Sequence, residues 1–186
     1  MDKGRLFRLA ASYLGESEVR EETPLYAALK GAVQHAVALA LDYNHWDFAL
    51  EYAEVVCDGA GVYALPADAL EVREVVGLDR WRVRGRWLVA DAAAGQAPVR
   101  LGLWYKSSKL ADAVALPDTA PLFCEGVALL LAARVAGVVT GRFDMVRELE
   151  GRAWRVLYRA KLKEARSVAS NDQAPVRAVD KEGLYG

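Results

Sequence analysis

Between Pro121 and Gly141 the chain is apolar almost without interruption, with Leu122, Phe123, Val127, Leu131, Val135 and Val139 among its residues and only Glu125 and Arg134 carrying charge. A helix that is apolar around its whole circumference must be covered on every side, by protein or by lipid. The run is almost long enough to span a bilayer, and Gly137 and Gly141 stand at the spacing of a membrane-helix dimer motif. The two charges speak against a span, because a charge at mid-membrane is costly. The expectation is a buried core helix, with glycines that let a neighbour come close, and no membrane partner.

Other helices can be read around it. Residues 5–14 place Leu6, Phe7, Leu9, Ala10, Tyr13 and Leu14 on one helical face, and Gly15 stops the pattern. Thr23 caps a second helix with Pro24 at its first position, and Leu25, Leu29, Val33, Val37 and Leu41 carry it to about Tyr43. Asp118 or Thr119 is the expected cap of the apolar helix. A long amphipathic helix follows from about Phe143 to Ala169, where Asn171, Asp172 and Pro175 end it.

Between the helical blocks the period changes to that of strands. Apolar runs at 49–57 and 62–65 flank Asp58 and Gly59, a hairpin signal. A second hairpin is expected around Gly85, and residues 99–105 form a further strand. Residues 92–97 are a loop of small residues. The reading is α+β: a bundle of about four helices (1–48 plus 118–171), a small antiparallel β insertion of four to six strands (49–117), and an extended C-terminal tail (172–186).

Composition narrows the function. The 186 residues are 54% hydrophobic with a net charge of −1, which excludes a disordered chain and a protein that grips nucleic acid over its whole surface. Two cysteines, Cys57 and Cys124, exclude a disulfide scaffold and a zinc site built from cysteine. They read as reduced thiols, and the opening residues lack the apolar stretch of a signal peptide, so a cytoplasmic product is expected.

No motif announces a reaction. His45 and Asp47 are near enough in sequence for an acid–base pair, but a helix end leading into a strand, with Trp46 and Phe48 as core anchors, explains them better. Residues 58–61 (DGAG) lack the Gly-Lys-Ser/Thr ending of a phosphate loop and read as a turn. No catalytic residue, metal site or cofactor is expected. The segment 80–87 (RWRVRGRW) interleaves arginine with tryptophan, as a single-strand-binding hairpin would, but alternation across a sheet, with tryptophans against a sheet face or a neighbouring subunit and arginines in solvent, explains it better.

Charge is distributed unevenly. The first sixty residues hold ten carboxylates against five Lys or Arg, whereas the last long helix is basic. Arg152, Arg155, Arg159 and Arg166 share one helical stripe. An acidic patch on one copy meeting this stripe on the next is a heterologous contact, and repetition of such a contact can close a ring.

The order of these parts resembles the head-to-tail adaptor (connector) proteins of tailed bacteriophages, of the tail tubular protein A type. The resemblance is carried by residues 6–16 (LFRLAASYLGE), 36–48 (AVALALDYNHWDF), 63–72 (YALPADALEV) and 81–91 (WRVRGRWLVAD), followed by the strand, the loop at Leu116 and Pro117, and the apolar helix. It covers most of residues 5–170; the acidic 16–22 loop and the tail do not match. The resemblance implies a structural virion protein of the phage neck, made in the host bacterial cytoplasm and not an enzyme. It implies a ring, dodecameric in the family, that joins the portal protein to a downstream nozzle or stopper protein and lets DNA pass without sequence-specific contact. It also implies that the tail docks on the portal, with Pro175, Val176, Leu184 and Tyr185 as anchors; the arginine stripe between subunits is read from charge alone, with a solvated face as its alternative. The alternative is a nucleic-acid-binding module using the hairpin from Arg80 to Trp87 and the basic C-terminal helix.

Overall fold

The computed structural model describes residues 1–57, 61–91 and 97–172, with side chains as far as Arg166. The fold is α+β. Helix α1 (Lys3–Tyr13) starts where the Asp2 carboxylate accepts the Arg5 N–H at 2.8 Å. It ends before Gly15, whose φ of +85° suits a residue without a Cβ. Helix α2 (Pro24–Asp42) has the expected cap, with Thr23 Oγ1 accepting the Tyr26 N–H at 3.2 Å.

Helix α4 (Pro121–Thr140) is the centre of the molecule. Twelve of its twenty residues are buried, walled in by α1, α2 and α5 (Phe143–Asp172). Its expected cap is not formed: the N-cap is Ala120, which offers no side-chain acceptor. Asp118 instead faces the Met1 ammonium at 2.7 Å, and that ion pair draws the carboxylate away from the helix start. Where α4 and α5 cross, Gly126 is necessary. A Cβ there would lie 2.5 Å from Leu157 Cδ2 and 2.6 Å from its Cγ. Helix α5 runs to Asp172, three residues beyond the expected end, and residues 173–186 of the expected tail lie outside the described residues.

Among the described residues the strands number six, and they form two sheets rather than one. Strands β1 (Leu50–Val56), β6 (Arg100–Ser107) and β3 (Ala69–Val75) make an antiparallel sheet with β6 in the middle. Strands β2 (Val62–Ala64), β5 (Trp87–Ala90) and β4 (Trp81–Arg84) make the other. The hairpin around Gly85 is present, and that glycine has φ +60°. The hairpin expected from Asp58 and Gly59 is reduced to one bridge, Cys57 to Tyr63, because β1 pairs along its whole length with β6 and leaves β2 to β5. Residues 58–60 and 92–96 lie outside the described residues. A short helix α3 (Lys109–Ala113), absent from the expectation, follows β6.

Two hydrophobic cores result. One fills the bundle; the other joins the sheets through Tyr63, Val72, Leu88, Leu101, Leu103 and Tyr105. Tyr63 is fully buried, and its hydroxyl donates to the Pro98 carbonyl at 2.6 Å. Replacing Gly126 with Ala forces a methyl against Leu157 and should cost about 1–3 kcal/mol by urea unfolding. Leu157→Ala should cost less in the Gly126→Ala chain than in wild type, because the added methyl fills part of the space the leucine leaves.

Candidate functional site

The junction between the two cores is polar and buried. Lys106, on β6, is enclosed beside the C-terminus of α2, with its Nζ 3.2 Å from Glu71 Oε2, 4.0 Å from Asp42 Oδ1 and 3.4 Å from the Leu41 carbonyl. A cation at that end of a helix meets the negative pole of the backbone dipoles as well as the carboxylates. His45 Nδ1 lies 3.4 Å from the same Glu71 carboxylate, so it belongs to this cluster. His45 and Asp47 make no contact with each other among the described residues. The Asp47 N–H turns to Glu164 Oε1 at 2.8 Å, and the acid–base pair is not assembled.

A second polar hub forms one turn of chain away. Asp68 accepts the Ser107 hydroxyl at 2.6 Å and the Tyr105 hydroxyl at 3.3 Å, with Lys109 Nζ at 3.7 Å. The Ser107 hydrogen bond, more than any other group, holds the Asp68 carboxyl below the ordinary aspartate range. Lys109 also pairs with Glu51 on β1. Asp68 thereby ties the loop before β3 to the end of β6 and the start of α3.

Trp46, buried as expected, packs with Phe48 and Phe123 at ring separations of 5.7 and 5.1 Å. These rings floor a groove of about 290 Å³ that also takes in Pro121, Lys163 and Glu164. Glu164 accepts Asn44 Nδ2 at 3.3 Å as well as the Asp47 N–H. Burial pushes its carboxyl above the usual glutamate range.

The arginine stripe is assembled. Arg152, Arg155 and Arg159 line a shallow groove against Glu125 and Leu129 of α4, and Arg159 and Arg166 line the next one with Leu122. All four are exposed, and none makes an ion pair among the described residues. The Arg152 guanidinium lies 5.4 Å from the Tyr13 ring centroid, a cation–π contact that fixes one end of the row.

The hairpin 80–87 divides its residues between two faces. Trp81 turns to the β core, whereas Trp87 is exposed. Arg86 donates to the Pro66 and Ala69 carbonyls, and Arg82 lies 3.8 Å from Asp91. Two of its four arginines are thus occupied within the chain. The tail anchors Pro175, Val176, Leu184 and Tyr185 lie outside the described residues.

Sequence reading missed Lys106, Asp68 and Glu164. Glu164 had a signal: it falls on the same α5 stripe as Leu149, Ala153, Val156, Leu157 and Ala160, where a carboxylate is out of place. Lys106 had a weaker one, a lysine at the end of the apolar run of β6.

No family model and no curated protein matches the chain.

The two carboxylates should have opposite signatures in acid. The lowered Asp68 pKa means that its contribution is present above the unfolded value of about 3.9 and is lost as pH falls below it. Asp68→Ala, which leaves the Ser107 and Tyr105 hydroxyls without their acceptor, should cost about 1–3 kcal/mol near neutrality, with the gap from wild type narrowing below about pH 4. The raised Glu164 pKa means that the folded state holds its proton more tightly, so the ionised form weakens the fold as pH rises. Glu164→Gln keeps an acceptor for the Asp47 N–H and should raise Tm relative to wild type at pH 8 more than at pH 4.

Proposed function

We propose that this chain is a head-to-tail adaptor of a tailed bacteriophage. In this reading it is a structural protein of the virion neck, whose copies form a ring between the portal and the next tail protein and lengthen the DNA channel. The order of parts supports it: two helices, a β lobe, then two longer helices leading into a terminal segment. The observation that carries it furthest is the length of α5. Lys163 and Glu164 lie level with Pro121 at the start of α4, and α5 continues eight residues past Glu164, about 12 Å. Helix α5 therefore ends past the first turn of α4, and in this reading the segment after it docks on a larger neighbour.

The physical logic is that of many weak contacts engaged together. A joint repeated around a ring multiplies effective affinity without any single strong site. A terminal segment that orders only on docking carries an entropic cost that discourages premature assembly.

A nucleic-acid reading keeps one specific observation: Arg82, Arg84 and Trp87 share the outer face of the β4–β5 hairpin. Under that reading short oligonucleotides bind with an affinity that falls steeply with salt. Under the adaptor reading they do not.

The purified chain should sediment mainly as a monomer at micromolar concentration and form rings, visible by electron microscopy, when mixed with its portal. Removal of residues 173–186 should leave the thermal unfolding curve unchanged and abolish portal pull-down. A truncated chain that still binds the portal overturns the tail assignment.

A further inference from the structure

Two of the exposed apolar surfaces among the described residues carry aromatic rings on rigid elements. The first is the outer face of the β1–β6–β3 sheet. Its far end is covered where Lys106 meets α2, but Tyr52 and Trp104, directly opposite each other on β1 and β6, are 49% and 41% exposed. Their rings touch at 5.4 Å. Tyr52 lies flat because β6 has a glycine beside it: a Cβ on Gly102 would fall 2.3 Å from the Tyr52 hydroxyl. Val56 and Val76 extend this platform. Glu54 on β1 and Glu74 on β3 stand on the two outer strands, about 10 Å apart. Arg73 sits at the β3 irregularity and Arg100 at the start of β6.

The second surface is a ridge on α5. Trp154, Tyr158 and Leu162, spaced by four, form one line outside the core stripe of α5 and are 36%, 52% and 41% exposed, with Leu162 bordering the groove beside Leu122 of α4. Only Trp154 has a partner ring, Tyr43 at 5.4 Å. Arg155 and Arg159 follow the ridge on one side and Lys161 on the other. From Gly151 to Arg166, Glu164 is the sole carboxylate, and it is turned inward. The ridge is about 12 Å long on a helix about 10 Å wide.

The two surfaces are complementary in charge along their flanks: one has an aromatic centre with a carboxylate on each outer strand and Arg100 at its end, the other an aromatic ridge flanked by cations. We propose that the Tyr52–Trp104 platform of one copy seats the Trp154–Tyr158–Leu162 ridge of a second copy, with Glu54 and Glu74 facing Arg155, Arg159 and Lys161. Because the donor and acceptor surfaces differ, the contact is heterologous and repeats around a ring or along a filament. The proposal rests on the adaptor reading only for the expectation that the ring closes.

Cross-linking tests it. Two chains are prepared with Cys57 replaced by serine, one carrying Glu74→Cys and the other Lys161→Cys, and reduced samples of each alone and of the two mixed are then oxidised at high concentration. A disulfide dimer should form in the mixture at several-fold higher yield than in either sample alone. Equal yields in all three, or none in the mixture, overturn the proposal. A second pair of variants checks the charges: Glu54→Lys with Glu74→Lys, and Arg155→Glu with Lys161→Glu, should each weaken self-association by sedimentation at low salt, and their mixture should restore a pairwise complex. Rings that assemble on a portal while the cysteine pair stays unlinked remove this interface and leave the adaptor reading standing. Cross-linking without any portal binding does the reverse.

Discussion

Everything in this fold follows from the need to cover α4. That helix is apolar around most of its circumference, so three other helices lie against it, and their own sequences are shaped by that duty. α1 and α2 each present a single apolar stripe. α5 presents a narrow one built from Leu149, Ala153, Val156, Leu157 and Ala160, and the alanines together with Gly126 allow the two long helices to approach closely. Once that stripe is used, the rest of the α5 circumference is free to carry charge and aromatic groups. The basic row and the apolar ridge exist because the core takes so little of α5.

The β lobe has a core of its own and meets the bundle through polar groups instead of a continuous apolar seam. Lys106 is the key residue there. A buried ammonium is costly unless its partners are in place, so the α2 terminus, Asp42 and Glu71 have to be positioned together for the lysine to be tolerated. Such a cluster gives orientation more than energy: it specifies which face of β6 meets α2. Asp68 does similar work at the other side of β6, where three donors converge on one carboxylate.

Local signals were legible and distant ones were not. Thr23 with Pro24 marks the start of α2 because both the cap and the fixed proline φ act within one turn. The Gly85 hairpin is readable for the same reason. The Asp58–Gly59 signal misled because turn chemistry says nothing of whether the two strands stay together. β1 finds a seven-residue partner in β6, some fifty residues on, and that ladder outweighs a short pairing with β2. α4 lost its expected cap to an ion pair with the far end of the chain, another contact no local pattern encodes. The stripe of Arg152, Arg155, Arg159 and Arg166 was legible since helical geometry alone puts those residues on one side. The ridge beside it was equally present in the spacing of Trp154, Tyr158 and Leu162, but aromatic residues at that interval look like core until the opposite stripe is seen to fill it.

Exposed aromatic residues on a rigid sheet and a rigid helix carry an energetic consequence. Each uncovered ring keeps hydrophobic free energy in reserve, and neither Trp104 nor Tyr158 can reclaim it by local rearrangement, since the sheet and the helix fix where they point. Covering them requires another rigid surface of matching shape. A chain that displays both a flat and a convex apolar surface, bordered by opposite charges, already holds the two halves of such a contact. A second copy is the simplest source of the missing half, because it brings both surfaces at the same stoichiometry. One contact of this size is weak between free subunits, but a template that fixes their spacing adds the contacts around a closed ring, and assembly then depends on the template. Under the proposed function, that same weakness would keep free copies apart and make a ring answer to its partner.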